Sequence, residues 1–568
     1  MPHGPEDGRP PSLVELRVLD GPNLYFPRAA VKVVLDVTTL LDLAEADYTA
    51  YATRLGVAEL RPGRPGSDVR ARAVARSFAA VTRSLARAGG ASRLAVRSRP
   101  GAAEGQLTIA FPWRQRDRAT RLAVGLAELV DGADLDTVAR AVAATEGGGV
   151  PTTPRPRIPV VAVTGTNGKT TTTRLVAHMG RCAGLVVGWS NTDGIWIDGE
   201  CVEEGDWSGY GGAGRVLADH RVQLAVLETA RGGLLLRGAG AMHNDVSVVT
   251  NVSADHLGLN GINTVDELAE VKSVVPRITR TTGWCVVNGD DPRALGMRLV
   301  SPGRPWVFSL DPDSPGVRAA LSEGGRAATV TDGALAVVEG SWRVDELVPA
   351  IDVPMTLSGL SSYNLANALA GAAAGLAVGL ERGAVIDGLR TFQPDPALNP
   401  GRLNLYDLGG VVVVLDLAHN EESLRALLEV ARGLQLPGGR LHTVLGTAGD
   451  REDDLIRVLG EIAARSSDVV VVAEKEKYLR GRDRAAMTEL LLSGVRDGGL
   501  PGAEVHADEL AGLQAASGAA APGDVVAFMC HADRVECDAW LRAAGATVMD
   551  APAVRARVLA ASTRTTPA

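Results

Sequence analysis

The chain has 568 residues, of which 46% are hydrophobic and 22% charged, and a formal net charge of −9. This is the composition of a soluble globular protein with room for about three domains and several cores. No stretch approaches the roughly 18 consecutive apolar residues of a membrane span, and the acidic balance argues against general nucleic-acid binding. The five cysteines, Cys182, Cys201, Cys285, Cys530 and Cys537, show neither metal spacing nor a disulfide framework. A reducing cytoplasm fits that usage, as does an N-terminal stretch without signal-peptide character.

Residues 1–155 read as a first, α+β unit. Glu15-Leu-Arg-Val-Leu19 and Ala30-Val-Lys-Val-Val-Leu-Asp36 predict strands on either side of the turn Asp20-Gly-Pro-Asn-Leu-Tyr-Phe-Pro27. From Arg70 to Arg121 there are twelve arginines against Glu104 and Asp117. Val74, Phe78, Val81 and Leu85 form an apolar stripe at helical spacing there, with Arg72, Arg76, Arg83 and Arg87 on the opposite face. Such a face either tethers an anionic substrate or is simply solvated.

A Gly/Pro-rich stretch from Glu146 to Arg157 predicts a boundary near residue 155 and a second unit over residues 156–398. The apolar run Val160 to Val163 predicts a buried parallel strand that breaks into Gly165-Thr-Asn-Gly-Lys-Thr170, followed by a helical pattern from Thr171 to about Cys182. Strand, glycine loop and a helix with Lys-Thr at its start make a phosphate cradle: backbone N–H groups turn inward and the helix N-terminus adds positive charge. Lys169 can reach the β/γ-phosphates, and the Thr170 hydroxyl can hold magnesium. The loop is two residues shorter than usual, because Val163 stands where the first glycine would be. Leu185–Trp189, Val222–Glu228, Asp245–Asn251 and Trp284–Asn288 predict further strands of a doubly wound, mostly parallel sheet with ligands at the strand C-termini. A break from Pro394 to Gly401 opens a third unit, residues 399–568. Val411–Leu417, Leu441–Leu445, Val469–Ala473 and Val525–Cys530 predict a Rossmann-like α/β fold there.

The polar residues at those strand ends carry the chemistry. Glu228 closes a strand where its carboxylate can join Thr170 in a magnesium site. Asp255 and His256 follow the next strand. The chain has five lysines, Lys32, Lys169, Lys272, Lys475 and Lys477, and uses Arg nearly everywhere else. A Lys therefore marks a place where a primary amine is needed. Lys272 has apolar neighbours that would lower its amine pKa. A neutral buried amine can take up CO₂ as a carbamate and become an anionic metal ligand, which Arg cannot do. The alternative is an ordinary lysine on a helix surface, and both stay open.

Several ordered motifs are shared with a known family: Thr164-Gly-Thr-Asn-Gly-Lys-Thr-Thr171, Leu227-Glu-Thr-Ala-Arg-Gly-Gly233, Asp255-His-Leu-Gly258, Asn288-Gly-Asp-Asp-Pro292, Tyr363-Asn-Leu-Ala-Asn367, Gly401-Arg402 and Asp416-Leu-Ala-His-Asn420. Through them, residues 157 to 550 resemble the Mur ligase superfamily, most closely the ligase half of the cyanophycin synthetases. The first 150 residues resemble the N-terminal domain of those enzymes through Leu19-Asp-Gly-Pro-Asn23. The ATP-grasp domain that lies between the two parts in that family is absent here, so at most one of its two ligations is expected.

The resemblance implies an ADP-forming ligase that uses ATP to convert a carboxylate into an acyl phosphate, from which an amine displaces phosphate to leave an amide. It implies that Gly165, Thr166, Asn167, Gly168, Lys169, Thr170 and Thr171 cradle the phosphates. Thr170 and Glu228 would hold one magnesium ion, and His256 with an N-carboxylated Lys272 a second. Asn364 and Asn367 would flank the adenine, Arg402 the phosphates and Asp416 the ribose, with His419 joining Lys169, His256, Lys272 and Arg402 in catalysis. The third unit would complete the site by closing onto ATP. The implied substrates are a small-molecule or peptide carboxylate, acidic in character, and an amino acid or amine. No nucleic acid or membrane partner is expected, and a homo-oligomer stays open. A folylpolyglutamate-synthase-like ligase is one alternative, disfavoured by the arginine-rich first unit and the Glu-Thr-Ala-Arg-Gly-Gly motif. A nucleotide-binding scaffold without catalysis is another, disfavoured by the intact Lys169, Glu228, His256 and Lys272.

Overall fold

A computed structural model describes residues 10–57, 61–255, 257–340, 342–449 and 451–562, and three sheets organise them. The first is antiparallel, with strands β1 (Leu13–Leu19), β2 (Ala30–Asp36), β3 (Arg97–Pro100) and β4 (Gln106–Pro112) in the order β1-β2-β4-β3. Alternation puts Val31, Val33 and Leu35 on one buried face. The helix Asp68–Ala88 adds Val74, Phe78, Val81 and Leu85 to the same core. Ser67 starts that helix by accepting a hydrogen bond from the Arg70 backbone N–H. Arg72, Arg76, Arg83 and Arg87 are exposed, as their spacing predicts. Arg70 is instead buried: its guanidinium donates to the carbonyls of Leu40, Leu43, Pro62 and Gly63 at 2.7–3.1 Å and lies 4.5 Å from the Tyr48 ring centre.

The turn after β1 is no free hairpin tip. Asp20 to Phe26 are buried, the N–H groups of Asp20 and Gly21 donate to the Arg237 carbonyl, and the Ala239 N–H donates to the Pro22 carbonyl. The first sheet is thus clamped to the second.

The second sheet has eleven strands: β5 (Val160–Thr164), β6 (Val187–Asn191), β7 (Gly194–Ile197), β8 (Glu200–Glu204), β9 (Leu224–Glu228), β10 (Asn244–Val249), β11 (Thr279–Asn288), β12 (Arg304–Phe308), β13 (Arg326–Thr331), β14 (Ala334–Glu339) and β15 (Arg343–Pro349). Their order is β15-β14-β13-β12-β11-β10-β5-β9-β6-β7-β8. The stretch from β13 to β6 is parallel and largely buried on both faces, which is why its central strands β5 and β10 read as valine-rich runs. The edges are antiparallel, a feature the strand-helix alternation did not predict. They arise at two-residue turns, Asp198-Gly199 and Asp332-Gly333, where both residues have positive φ and the turn matches the strand twist. In register, Val163 of β5 faces Glu228 of β9, and Thr164 faces Val249 of β10. The phosphate loop, Glu228 and the segment after Val249 therefore share one edge.

The third sheet comprises β16 (Asn404–Leu408), β17 (Val411–Asp416), β18 (Leu441–Leu445), β19 (Val469–Ala473), β20 (Glu504–His506), β21 (Val525–Met529) and β22 (Thr547–Val548), in the order β20-β19-β18-β21-β17-β16-β22. Five of these are mutually parallel, and β16 runs antiparallel to both β17 and β22. Among the described residues, no helix is long and apolar enough to cross a membrane.

Arg70→Met would leave four carbonyls without their donor, at an expected cost of about 2–4 kcal/mol. Denaturant unfolding measures this. A loss below about 0.5 kcal/mol, the range of ordinary surface changes, would show that those carbonyls are satisfied another way.

Candidate active site

The loop after β5 is fixed by its neighbours before any ligand arrives. The Thr166 N–H donates to the Asn251 carbonyl at 2.9 Å, the Asn167 N–H to Asn251 Oδ1 at 2.9 Å, and Thr250 Oγ1 to the Asn167 carbonyl at 2.5 Å. Gly168 has φ +82°, and a Cβ there would stand 2.3 Å from Asn367 Oδ1, so only glycine fits. The helix Lys169–Cys182 begins at Lys169, two residues earlier than its apolar pattern suggests, because left-handed Gly168 serves as its N-cap. Its N-terminus faces a cavity of about 340 Å³.

Each residue predicted for the site has a defined place except His256, which lies outside the described residues. Gly165, Thr166, Asn167, Gly168, Lys169, Thr170, Thr171, Glu228, Lys272, Asn364, Arg402, Asp416 and His419 all line the cavity. Asn367 does not: it packs under Gly168 and donates to Asn364 Oδ1 at 3.1 Å. Residues that sequence reasoning assigned no role also line it, namely Thr192, Asp206 and Arg231. Thr192 and Asp206 fall in short Asp-Gly and Gly-Asp turns, a signal of position rather than of chemistry.

Electrostatics at the centre is unbalanced. Thr170 Oγ1 donates to Glu228 Oε2 at 2.8 Å, and Glu228 Oε1 is buried with no hydrogen-bond partner among the described residues. Burial pushes the Glu228 carboxyl above the usual carboxylate range, against the opposing pull of Lys169 and Thr170. Lys272 is 3% exposed and donates from Nζ to the Gly165 carbonyl at 2.5 Å, which rules out the surface-lysine alternative. Burial, reinforced by the Lys169 charge, holds its amine well below the usual lysine range. Lys169 itself folds back to the Thr166 carbonyl at 2.7 Å. Burial also raises Asp416, whose Oδ2 accepts from the Leu403 N–H at 2.8 Å, while Arg402 opposes the rise.

The third sheet closes the cavity from the other side. Asn167 Nδ2 donates to Glu422 Oε2 at 2.9 Å, Asn420 Nδ2 to Asn167 Oδ1 at 3.0 Å, and Ser253 Oγ to Glu422 Oε2 at 2.6 Å. Arg451 pairs with Asp255 at 3.3 Å, and Asp193 pairs with Arg174 at 2.7 Å and Arg534 at 2.9 Å. Residues of the second and third units thus line one cavity.

Residues 163–375 match the model of the Mur ligase middle domain, and residues 401–531 that of the Mur ligase, glutamate ligase domain. A cyanophycin synthetase of Synechocystis sp. is 40% identical over 364 residues, which are 63% of this chain and 41% of that protein. The chain therefore spans well under two thirds of the length of that relative. The UDP-N-acetylmuramoyl-L-alanyl-D-glutamate--2,6-diaminopimelate ligase of Geobacter metallireducens is 32% identical over 398 residues, covering 67% of this chain and 70% of that protein. Among solved structures, E. coli FolC in complex with DHPP and ADP is 21% identical with a TM-score of 0.47, covering 66% of this chain and 85% of that one.

The contact between Gly168 and Asn367 has a measurable consequence. Gly168→Ala is expected to cost about 1–3 kcal/mol through left-handed strain and collision. Adding Asn367→Ala should recover the collision part, giving a non-additive pair in a double-mutant cycle of unfolding free energies. Additive losses would mean that Asn367 does not support the loop.

Proposed function

The chain belongs to the Mur ligase family, and on that premise we propose that it is an ATP-dependent carboxylate–amine ligase that forms an amide through an acyl phosphate. The observation that carries this reading is the convergence, on one cavity, of a helix-capped phosphate loop, a buried carboxylate with one oxygen unpartnered among the described residues and a second sheet bearing Arg402, Asp416 and His419. A carboxylate is a poor electrophile, so phosphorylation must supply the leaving group, and that transfer needs positioning and charge neutralisation more than covalent help. The loop N–H groups and Lys169 bind the phosphates, with Arg402 across from them. Asp416 accepts from the ribose hydroxyls, and Asn364 stands beside the base.

Magnesium fits the donors present. Among the described residues no three His, Cys, Asp or Glu side chains form a metal cluster. An ion at Thr170 and Glu228 would therefore rest on hard oxygens and on the phosphates of the nucleotide, the usual manner for magnesium. When bound, it supplies positive charge for the phosphates. His256 and an N-carboxylated Lys272 are proposed to hold a second ion. Burial shifts Lys272, whose Nζ donates to the Gly165 carbonyl, toward the neutral amine that carbamate formation requires.

The substrates are proposed to be an acidic amino acid or peptide and an amino acid or amine, joined in a single kind of ligation. Beside the exposed arginine row, the first unit has a cleft of about 620 Å³ lined by Arg28, Arg93, Arg114 and Arg118 with no carboxylate, which suits an acidic substrate. Screening amino acids and acidic dipeptides in pairs for ADP release that requires both members tests the ligase reading. Nucleotide binding without ADP release under any pair would favour a scaffold.

In that assay Lys169→Ala should lower turnover roughly 10²–10³-fold, the effect of losing one preorganised transition-state donor, with the melting temperature little changed. Near-wild-type turnover would remove Lys169 from the phosphate site. Lys272→Arg should be at least as damaging as Lys272→Ala, because a permanent guanidinium charge cannot act as a carbamate. Partial activity in the Arg variant alone would instead assign Lys272 a cationic role.

A further inference from the structure

Lys475 is the buried lysine that the ligase reading leaves without a task. It follows β19 at the C-terminal edge of the third sheet, and its side chain and that of Glu509 are each 1% exposed. Lys475 Nζ donates to Glu509 Oε1, to the Met529 carbonyl at 2.9 Å and to His531 Nδ1. With Nδ1 accepting, the imidazole proton sits on Nε2, and that N–H donates to the Ala418 carbonyl at 2.7 Å. The same Glu509 carboxylate accepts from the backbone N–H groups of His531, Ala532 and Asp533 at 2.7–2.9 Å, so the turn after β21 wraps around it.

A buried ion pair of this kind is weak evidence for stability, since apolar side chains fill such space at no desolvation cost. What it provides is direction: Lys475 is held between Glu509, the Met529 carbonyl and His531 Nδ1, and through His531 Nε2 the contacts run on to one further carbonyl. That carbonyl belongs to Ala418, which lies between Asp416 and His419, and all three line the cavity. The planar five-donor fork of Arg could not replace the compact ammonium among three acceptors. We propose that Lys475 and Glu509 orient His531 so that its bond to Ala418 positions the turn from Asp416 to His419 against the cavity. His531 is thus a positioning residue that touches no substrate. This inference rests on the reading that the cavity takes a nucleotide.

Calorimetric titration of the full chain with a non-hydrolysable ATP analogue and magnesium separates the two ideas. His531→Gln keeps an N–H donor close to the place of Nε2, whereas His531→Asn stops short of it. The Gln variant should bind within about threefold of wild type and the Asn variant roughly tenfold more weakly, the scale of one lost hydrogen bond, with similar melting temperatures for the two. No binding by wild type would overturn the nucleotide reading and this inference with it. Binding by wild type that is unchanged in His531→Asn would overturn this inference alone. If His531→Asn does not fold, the ring nitrogen shifts of wild-type His531 decide. The groups facing the ring are Lys475, Glu509 and His419, and burial lowers its pKa well below the usual histidine range. A neutral ring with its proton on Nε2 from about pH 6 to 8 supports the proposal; a proton on Nδ1, or titration in that range like a free histidine, refutes it.

Discussion

Glu228, Lys169 and Lys272 meet where β5 and β9 end side by side, and the pairing of Val163 with Glu228 sets that carboxyl beside the phosphate loop, where Thr170 donates to it. Burial favours the neutral forms of both Glu228 and Lys272, and the charge of Lys169 draws each of them toward lower pKa. The centre therefore holds charge and hydrogen-bonding capacity that protein groups alone leave unmatched. Such a site persists only inside a frame that over-determines it. Here the frame is the run of parallel strands buried on both faces, with Asn251, Thr250 and Lys272 each tying down a different part of the loop.

The seam with the third sheet is built differently. It relies on Asn167 with Asn420 and Glu422, Ser253 with Glu422, and Asp193 between Arg174 and Arg534. Burial pushes Asp193 up, but Arg174, Arg402 and Arg534 around it bring it below the usual carboxylate range. Polar contacts of this sort are exchangeable for water at little net cost, unlike the apolar faces inside each sheet. Such a seam places exchangeable contacts at the residues proposed to meet nucleotide.

The sequence revealed most where one signal sufficed. A valine run, two glycines and Lys-Thr located the loop, since a strand buried on both faces has little other way to read. The edge hairpins went unread although Asp198-Gly199 and Asp332-Gly333 are strong turn signals, because alternation with helices dominated the reading. Asn364 and Asn367 share a helix face at spacing three, yet only Asn364 meets the cavity. The other is taken up by the tight approach to Gly168, which depends on how two helices cross. Arg70 counted only as the first of the twelve arginines, and nothing in its neighbourhood announced the carbonyls around it. His256 falls outside the described residues, so its assignment rests on the motif.

The scarcity of lysine proved informative for a physical reason, and only in part. Lys32 and Lys477 make ordinary ion pairs, with Glu15 at 2.7 Å and Asp533 at 3.1 Å, where Arg would serve as well. Arg70 shows that this chain buries arginine where a broad fork of carbonyls awaits it. Lys272 and Lys475 are buried with their amines set against one carbonyl in the first case and three converging acceptors in the second. Burial lowers the basicity of both; it does the same to Arg174, but only to about 10, so that guanidinium stays charged. The rule that holds is therefore one of shape: in this arginine-rich chain, the two interior lysines stand where a compact amine is aimed at a loop carbonyl or at converging acceptors.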